Sequence, residues 1–179
     1  MRTAHSSDPL LIAAKIATIL CRVIIVIGMI ALGIGGAIML LAFGGFADEI
    51  ARRFNPEDMG ETTGAVLLII VATMIALSLM YDFATRLAQL IDTVGLGDPF
   101  TSENAARLAR MGWLVVAIQV LGIPIMLLST WLEPRIKDGN FRIEPEFAPE
   151  GIFLILILFI LARVFREGAR LKADLEGTV

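Results

Sequence analysis

The sequence predicts an all-α integral membrane protein, a bundle of four transmembrane helices with N-terminus and C-terminus cytoplasmic. Three observations predict it: an apolar composition, apolar residues gathered into long blocks almost free of charge, and an uneven placing of Lys and Arg. The 179 residues are 57% hydrophobic with a mean hydropathy of +0.81, above the roughly 45–50% apolar share of soluble domains. An ion at the bilayer centre costs about 2.5–3.5 kcal/mol even on the mildest scale, so uninterrupted apolar blocks mark crossings.

The first block runs from Val23 to Ala47 without a charge, and before it Lys15 and Arg22 sit among apolar residues from Leu10 onward. Asp8-Pro9 makes a helix start, because a proline in the first turn loses no intrahelical hydrogen bond. The apolar run is longer than the roughly 7–15 residues of a signal-peptide core, and Phe43-Gly44-Gly45-Phe46 offers no small-residue cleavage site. The block therefore reads as a retained anchor, with a span at about residues 23–47.

The second block, Thr62 to Tyr81, is uncharged and has the roughly 20 residues that cross about 30 Å of hydrocarbon. The third, Gly112 to Leu132, is flanked by Trp113 and Trp131, whose amphipathic rings favour the two headgroup levels. The fourth is strictly uncharged only from Gly151 to Ala162, which is short for a crossing. It reaches spanning length as Phe147 to Phe165 if Glu150 lies at one interface and Arg163 snorkels toward the other. The expected organisation is an N-terminal tail, residues 1–9, and one membrane domain, residues 10–179, whose last helix extends into the cytoplasm.

Orientation follows from the bases. Arg2, Lys15, Arg22, Arg86, Arg107, Arg110, Arg163, Arg166, Arg170 and Lys172 fall on the side of the termini, ten in all, against five opposite: Arg52, Arg53, Arg135, Lys137 and Arg142. The positive-inside rule puts the richer side in the cytoplasm.

Chemistry is thinly provided. The net charge of −3 and pI of about 5.2 argue against direct nucleic-acid binding, which needs a basic stripe. Cys21, the single cysteine, supports neither a disulfide nor a CxxC motif and reads as buried apolar filler. His5 is the single histidine and cannot alone build a metal site or an activated base. No nucleophile, base and orienter come together, so the chain reads as a non-enzyme with no cofactor and no metal.

Small residues crowd the first span: Gly28, Gly33, Gly35 and Gly36, with Ala31-x-x-x-Gly35 and Gly33-x-x-x-Ala37 as small-xxx-small pairs. Packing inside the bundle accounts for them, and a homodimer through the same face is the alternative. Gln119 lies mid-span near Pro124, which frees a carbonyl; an interhelical hydrogen bond is the expected use of its amide. Asp82 and Arg86 suit an i, i+4 ion pair. In the stretch from Gly97 to Arg110, Asp98-Pro99 sets a turn, and Thr101 or Ser102 caps a helix carrying Glu103 in its first turn.

The motif Pro99-Phe100-x-x-x-Asn104-x-x-Arg107-Leu108-x-x-x-Gly112-Trp113 resembles the signature of a bacterial membrane family catalogued as domain of unknown function 2975. The tail, from Leu161-Ala162-Arg163 to Asp174-Leu175-Glu176-Gly177-Thr178-Val179, resembles that family's closing helix. The resemblance covers residues 10–179. It implies a small four-helix protein of the bacterial cytoplasmic (inner) membrane, often encoded beside a short helix-turn-helix regulator, with no catalytic residues. The expectation is an interaction or regulatory subunit, embedded in the lipid bilayer, whose cytoplasmic face of Phe100, Asn104, Arg107, Arg110, Arg166 and Arg170 docks a cytoplasmic protein partner. A small transporter or channel is the competing expectation.

Overall fold

A computed structural model describes residues 9–45, 59–135 and 149–176. The elements are α1 (Pro9–Gly45), α2 (Met59–Gly95), α3 (Ser102–Leu132), a 3₁₀ turn (Glu133–Arg135) and α4 (Pro149–Glu176). All regular structure among the described residues is helical. Three helices are long and apolar enough to cross a membrane, over Pro9–Leu41, Gly60–Gly95 and Ser102–Leu132. α4 carries Glu150, Arg163 and Arg166 around its apolar stretch and does not join them on length and composition.

The helices outrun the apolar blocks that predict them. α1 and α2 have 37 residues each, about 55 Å of helix against about 30 Å of hydrocarbon. Past each block the charges are paired: Lys15 Nζ lies 2.6 Å from Asp92 Oδ1, and Arg86 Nε donates to Asp82 Oδ2 at 3.0 Å. Residues 46–47 and 147–148 of the expected spans, and His5, lie outside the described residues. Large apolar side chains stand exposed on the helices, among them Ile24, Ile34 and Leu41 on α1, Leu68 and Val71 on α2, and Val120 and Leu127 on α3. Such surface suits hydrocarbon as solvent and would be an aggregation liability in water.

The chain divides into two compact units, one from Met1–Ile25, Leu79–Ala117 and Ala148–Val179, the other from Val26–Ser78 and Ile118–Phe147. In the first, α1 runs antiparallel to α2: Arg22 Nη2 donates to the Tyr81 hydroxyl at 3.0 Å with its guanidinium 5.1 Å from the ring centroid, and Lys15 reaches Asp92. The core of this unit is Leu108, Met111 and Val115 of α3 against Leu158 and Ala162 of α4, with Phe83, Leu87 and Leu90 of α2 and Phe165 of α4 around it. In the second unit, glycines of α1 meet side chains of α2: Gly33 faces Met74 at 3.5 Å and Gly36 faces Ile70 at 3.4 Å from where a Cβ would stand, and Gly28 approaches Leu77 at 4.0 Å.

Three expectations are corrected here. Gly35 has nothing within 4 Å of a Cβ position, and Ala37 is exposed, so neither packs inside the unit. The contact seam of α1 instead passes through Gly28, Gly33 and Gly36, because the helical period puts Gly35 and Ala37 on its outer face. Cys21 is likewise exposed rather than buried, since the inner side of that turn is taken by Thr18, Arg22 and Ile25. Gln119 is half-buried on α3.

Candidate functional site

The motif from Asp98 to Trp113 folds into a joint between α2, α3 and α4, all within the first unit. α2 ends where Leu96 N donates to Asp92 O and Thr93 O and Gly97 N donates to Val94 O at 3.0 Å. Gly97 holds φ +84°, the left-handed conformation that costs a Cβ-bearing residue about 1–2 kcal/mol. Thr101 then caps α3: its Oγ1 accepts from Asn104 N at 3.1 Å, satisfying a donor the first turn otherwise leaves free.

Asn104 is fully buried. Its amide nitrogen donates to Thr93 Oγ1 at 2.8 Å and to Pro99 O at 2.9 Å, while its oxygen accepts from Arg107 Nη1 at 2.8 Å. One side chain therefore ties the end of α2, the connecting turn and the second turn of α3 together. Arg107, its side chain only 17% exposed, spends its other nitrogen on Glu103. Asn104, fully buried with three of its amide's hydrogen-bonding positions used, does not reach the surface as expected from the sequence, and Arg107, mostly buried, turns one N–H of each terminal nitrogen inward; both belong to the internal frame of the joint.

α4 docks on that frame along the remaining motif residues. The Phe100 ring lies 5.1 Å from Phe165, and a Cβ at Gly168 would stand 2.7 Å from Phe100 Cδ1. Gly112 brings α3 against Phe159, 3.1–3.3 Å from a Cβ position, and Trp113 meets the same ring edge-on at 5.7 Å. Lys172 Nζ donates to Asp98 Oδ2 at 2.7 Å and fastens the far end of α4 to the turn.

The outward side carries arginines together with the acidic side chains of Glu103, Glu167 and Asp174. Arg110 on α3 and Arg163, Arg166 and Arg170 on α4 are exposed, and none of them has an ion-pair or hydrogen-bond partner among the described residues. Of the expected docking residues, then, the structure leaves Arg110, Arg166, Arg170 and the outer edge of Phe100 on the surface. Thr93, Phe165, Gly168 and Lys172 are members of the joint to which the sequence reading gives no such role, and Asp98, expected there as a turn residue, also accepts from Lys172. Gly168 alone carries a hint, as a glycine inside a helix, where it costs about 1 kcal/mol unless something needs the space. Among the described residues no three His, Cys, Asp or Glu side chains gather as metal ligands.

No protein-family model, curated protein or solved structure matches the chain. The functional reading rests on the joint and its charges.

Proposed function

We propose that this chain is a non-enzymatic interaction or regulatory subunit of the bacterial cytoplasmic membrane, with both termini in the cytoplasm and α4 as a fourth crossing. It docks an acidic face of a cytoplasmic protein, such as a small helix-turn-helix regulator, on the outer surface of the joint. The observation that carries this reading is a division among the bases of the first unit. Lys15, Arg86, Arg107 and Lys172 each have an acidic partner in the chain and Arg22 is held on Tyr81, whereas Arg110, Arg163, Arg166 and Arg170 have no such partner among the described residues. Paired bases build the fold; unpaired ones set partner choice and encounter rate. The rigid frame beneath them supports the same reading, because it fixes α3 and α4 before a partner arrives and lowers the ordering cost of binding.

The fourth crossing is supported by the position of charge. Glu150 and Arg163 bracket the uncharged run, and Arg163 is exposed with a stem long enough to reach headgroups. Orientation is supported by the positive-inside count, and membership of the family catalogued as domain of unknown function 2975 by the motif and the tail.

The test is chemical cross-linking in native membranes, mild solubilisation and capture on the tagged chain, with partners identified by mass spectrometry. A cytoplasmic protein should be captured by the parent and at least tenfold less by Arg110→Ala/Arg166→Ala/Arg170→Ala. Lys15→Ala, which removes a paired base on α1 away from the docking arginines, should capture normally. Equal capture by the triple variant, or no captured protein, would overturn the docking reading.

A further inference from the structure

The second unit holds a groove of about 540 Å³ that the joint does not use. It is lined by Glu61, Gly64, Ala65 and Leu68 of α2 and by Leu127, Leu128 and Trp131 of α3. Its size is that of a small-molecule site. Its composition is graded along the helix axis. Glu61 and Trp131 sit at the ends of their apolar blocks, while Leu68 and Leu127 lie inside them, so the groove descends from headgroup level into hydrocarbon. Glu61 and Leu68 are seven residues apart, about 10 Å of helix rise.

Two features say that this space is meant to be open. Gly64 and Ala65 give it a shallow floor, and a Cβ at Gly64 would meet nothing within 4 Å. The helix therefore forgoes a favourable side chain where one would fit without a clash. At the mouth, Glu61 is exposed and forms no ion pair or side-chain hydrogen bond with the other described residues.

We propose that this groove binds a single-chain amphiphile with a cationic ammonium head. The alkyl chain lies over Gly64 and Ala65 between Leu68 and Leu127, where it exchanges lipid contacts for close packing. The ammonium sits against the Glu61 carboxylate, in a headgroup zone where the ion pair is stronger than in water. The Trp131 ring adds a face that attracts the same cation. An anionic head meets repulsion from Glu61, and a neutral head finds no charge to select it, so the head group decides affinity.

The test uses the full chain in dodecyl maltoside micelles, a neutral background. A long-chain alkyltrimethylammonium carrying a diazirine on the chain is photolysed with the protein, and labelled peptides are mapped by mass spectrometry. A neutral alkyl alcohol of the same length and diazirine serves for comparison. Labelling of residues 61–68 and 127–131 is expected with the cation, at least fivefold above the alcohol, with Glu61→Gln abolishing that preference. Gly64→Leu, whose Cβ would meet nothing within 4 Å, should fill the groove and remove the labelling. Equal labelling by both probes, or a cation preference that survives Glu61→Gln, overturns the assignment. So does labelling unaffected by Gly64→Leu.

Discussion

Asn104→Ala tests the frame most directly, because the side chain is fully buried and every contact it makes is known. The substitution removes two hydrogen bonds to uncharged acceptors, Thr93 Oγ1 and Pro99 O, and one from the charged Arg107. At about 0.5–1.5 kcal/mol for each neutral bond and about 1.5–3 for the charged one, the gross loss is about 2.5–6 kcal/mol. The partners are not fully orphaned: Thr93 Oγ1 still donates to Leu90 O, Pro99 O still accepts from Thr101 N, and Arg107 still holds Glu103. The lower part of the range therefore applies, about 2–3 kcal/mol, which for a chain of this size lowers Tm by roughly 4–12 °C. Unfolding of the detergent-solubilised protein followed by Trp fluorescence, with Thr93→Ala and the double variant alongside, measures both the loss and the coupling. Asn104 and Thr93 share a bond, so their effects should fall short of additivity by at least about 0.5 kcal/mol. An Asn104→Ala variant within about 0.5 kcal/mol of the parent, or strict additivity, would refute the account of the joint.

Two further outcomes are expected. Gly168→Ala should destabilise by about 1–3 kcal/mol through overpacking on Phe100, opposite in sign to the gain of up to about 1 kcal/mol that alanine brings to an open helix position. Adding Phe100→Ala should recover part of the loss, and a stabilised Gly168→Ala would mean that α4 does not press on the turn. Cys21 should react with N-ethylmaleimide in the folded, solubilised protein to near completion, monitored by intact mass; protection until denaturation would contradict its outward position on α1.

Much of the local structure was open to reading along the chain. Pro9 opens α1, Thr101 caps α3, and Asp82 and Arg86 pair at i, i+4, because each depends on residues within one turn of each other. The helix ends were harder. Lys15 and Asp92 look like interruptions of apolar runs when each is read alone, and in the structure they pair with each other beyond the blocks. Asn104 and Arg107 are expected on a docking face from the motif they share; in the structure Asn104 bonds to Pro99 and to Thr93 at the end of α2, and Arg107 turns in to Asn104 and Glu103. Gly33 and Gly35 have the same local character, two residues apart, yet the first faces Met74 and the second open space.

The sequence by itself determined that the chain is helical and built for a membrane, because hydropathy and charge add up along a segment without regard to what lies beside it. Tertiary structure alone decided which side chains became frame and which stayed on the surface. Lys172 meets Asp98 across 74 positions, and Phe100 fits the space that Gly168 leaves. Contacts of that kind depend on how helices are set side by side, and that setting is fixed by the sum of many small packing terms rather than by a local pattern.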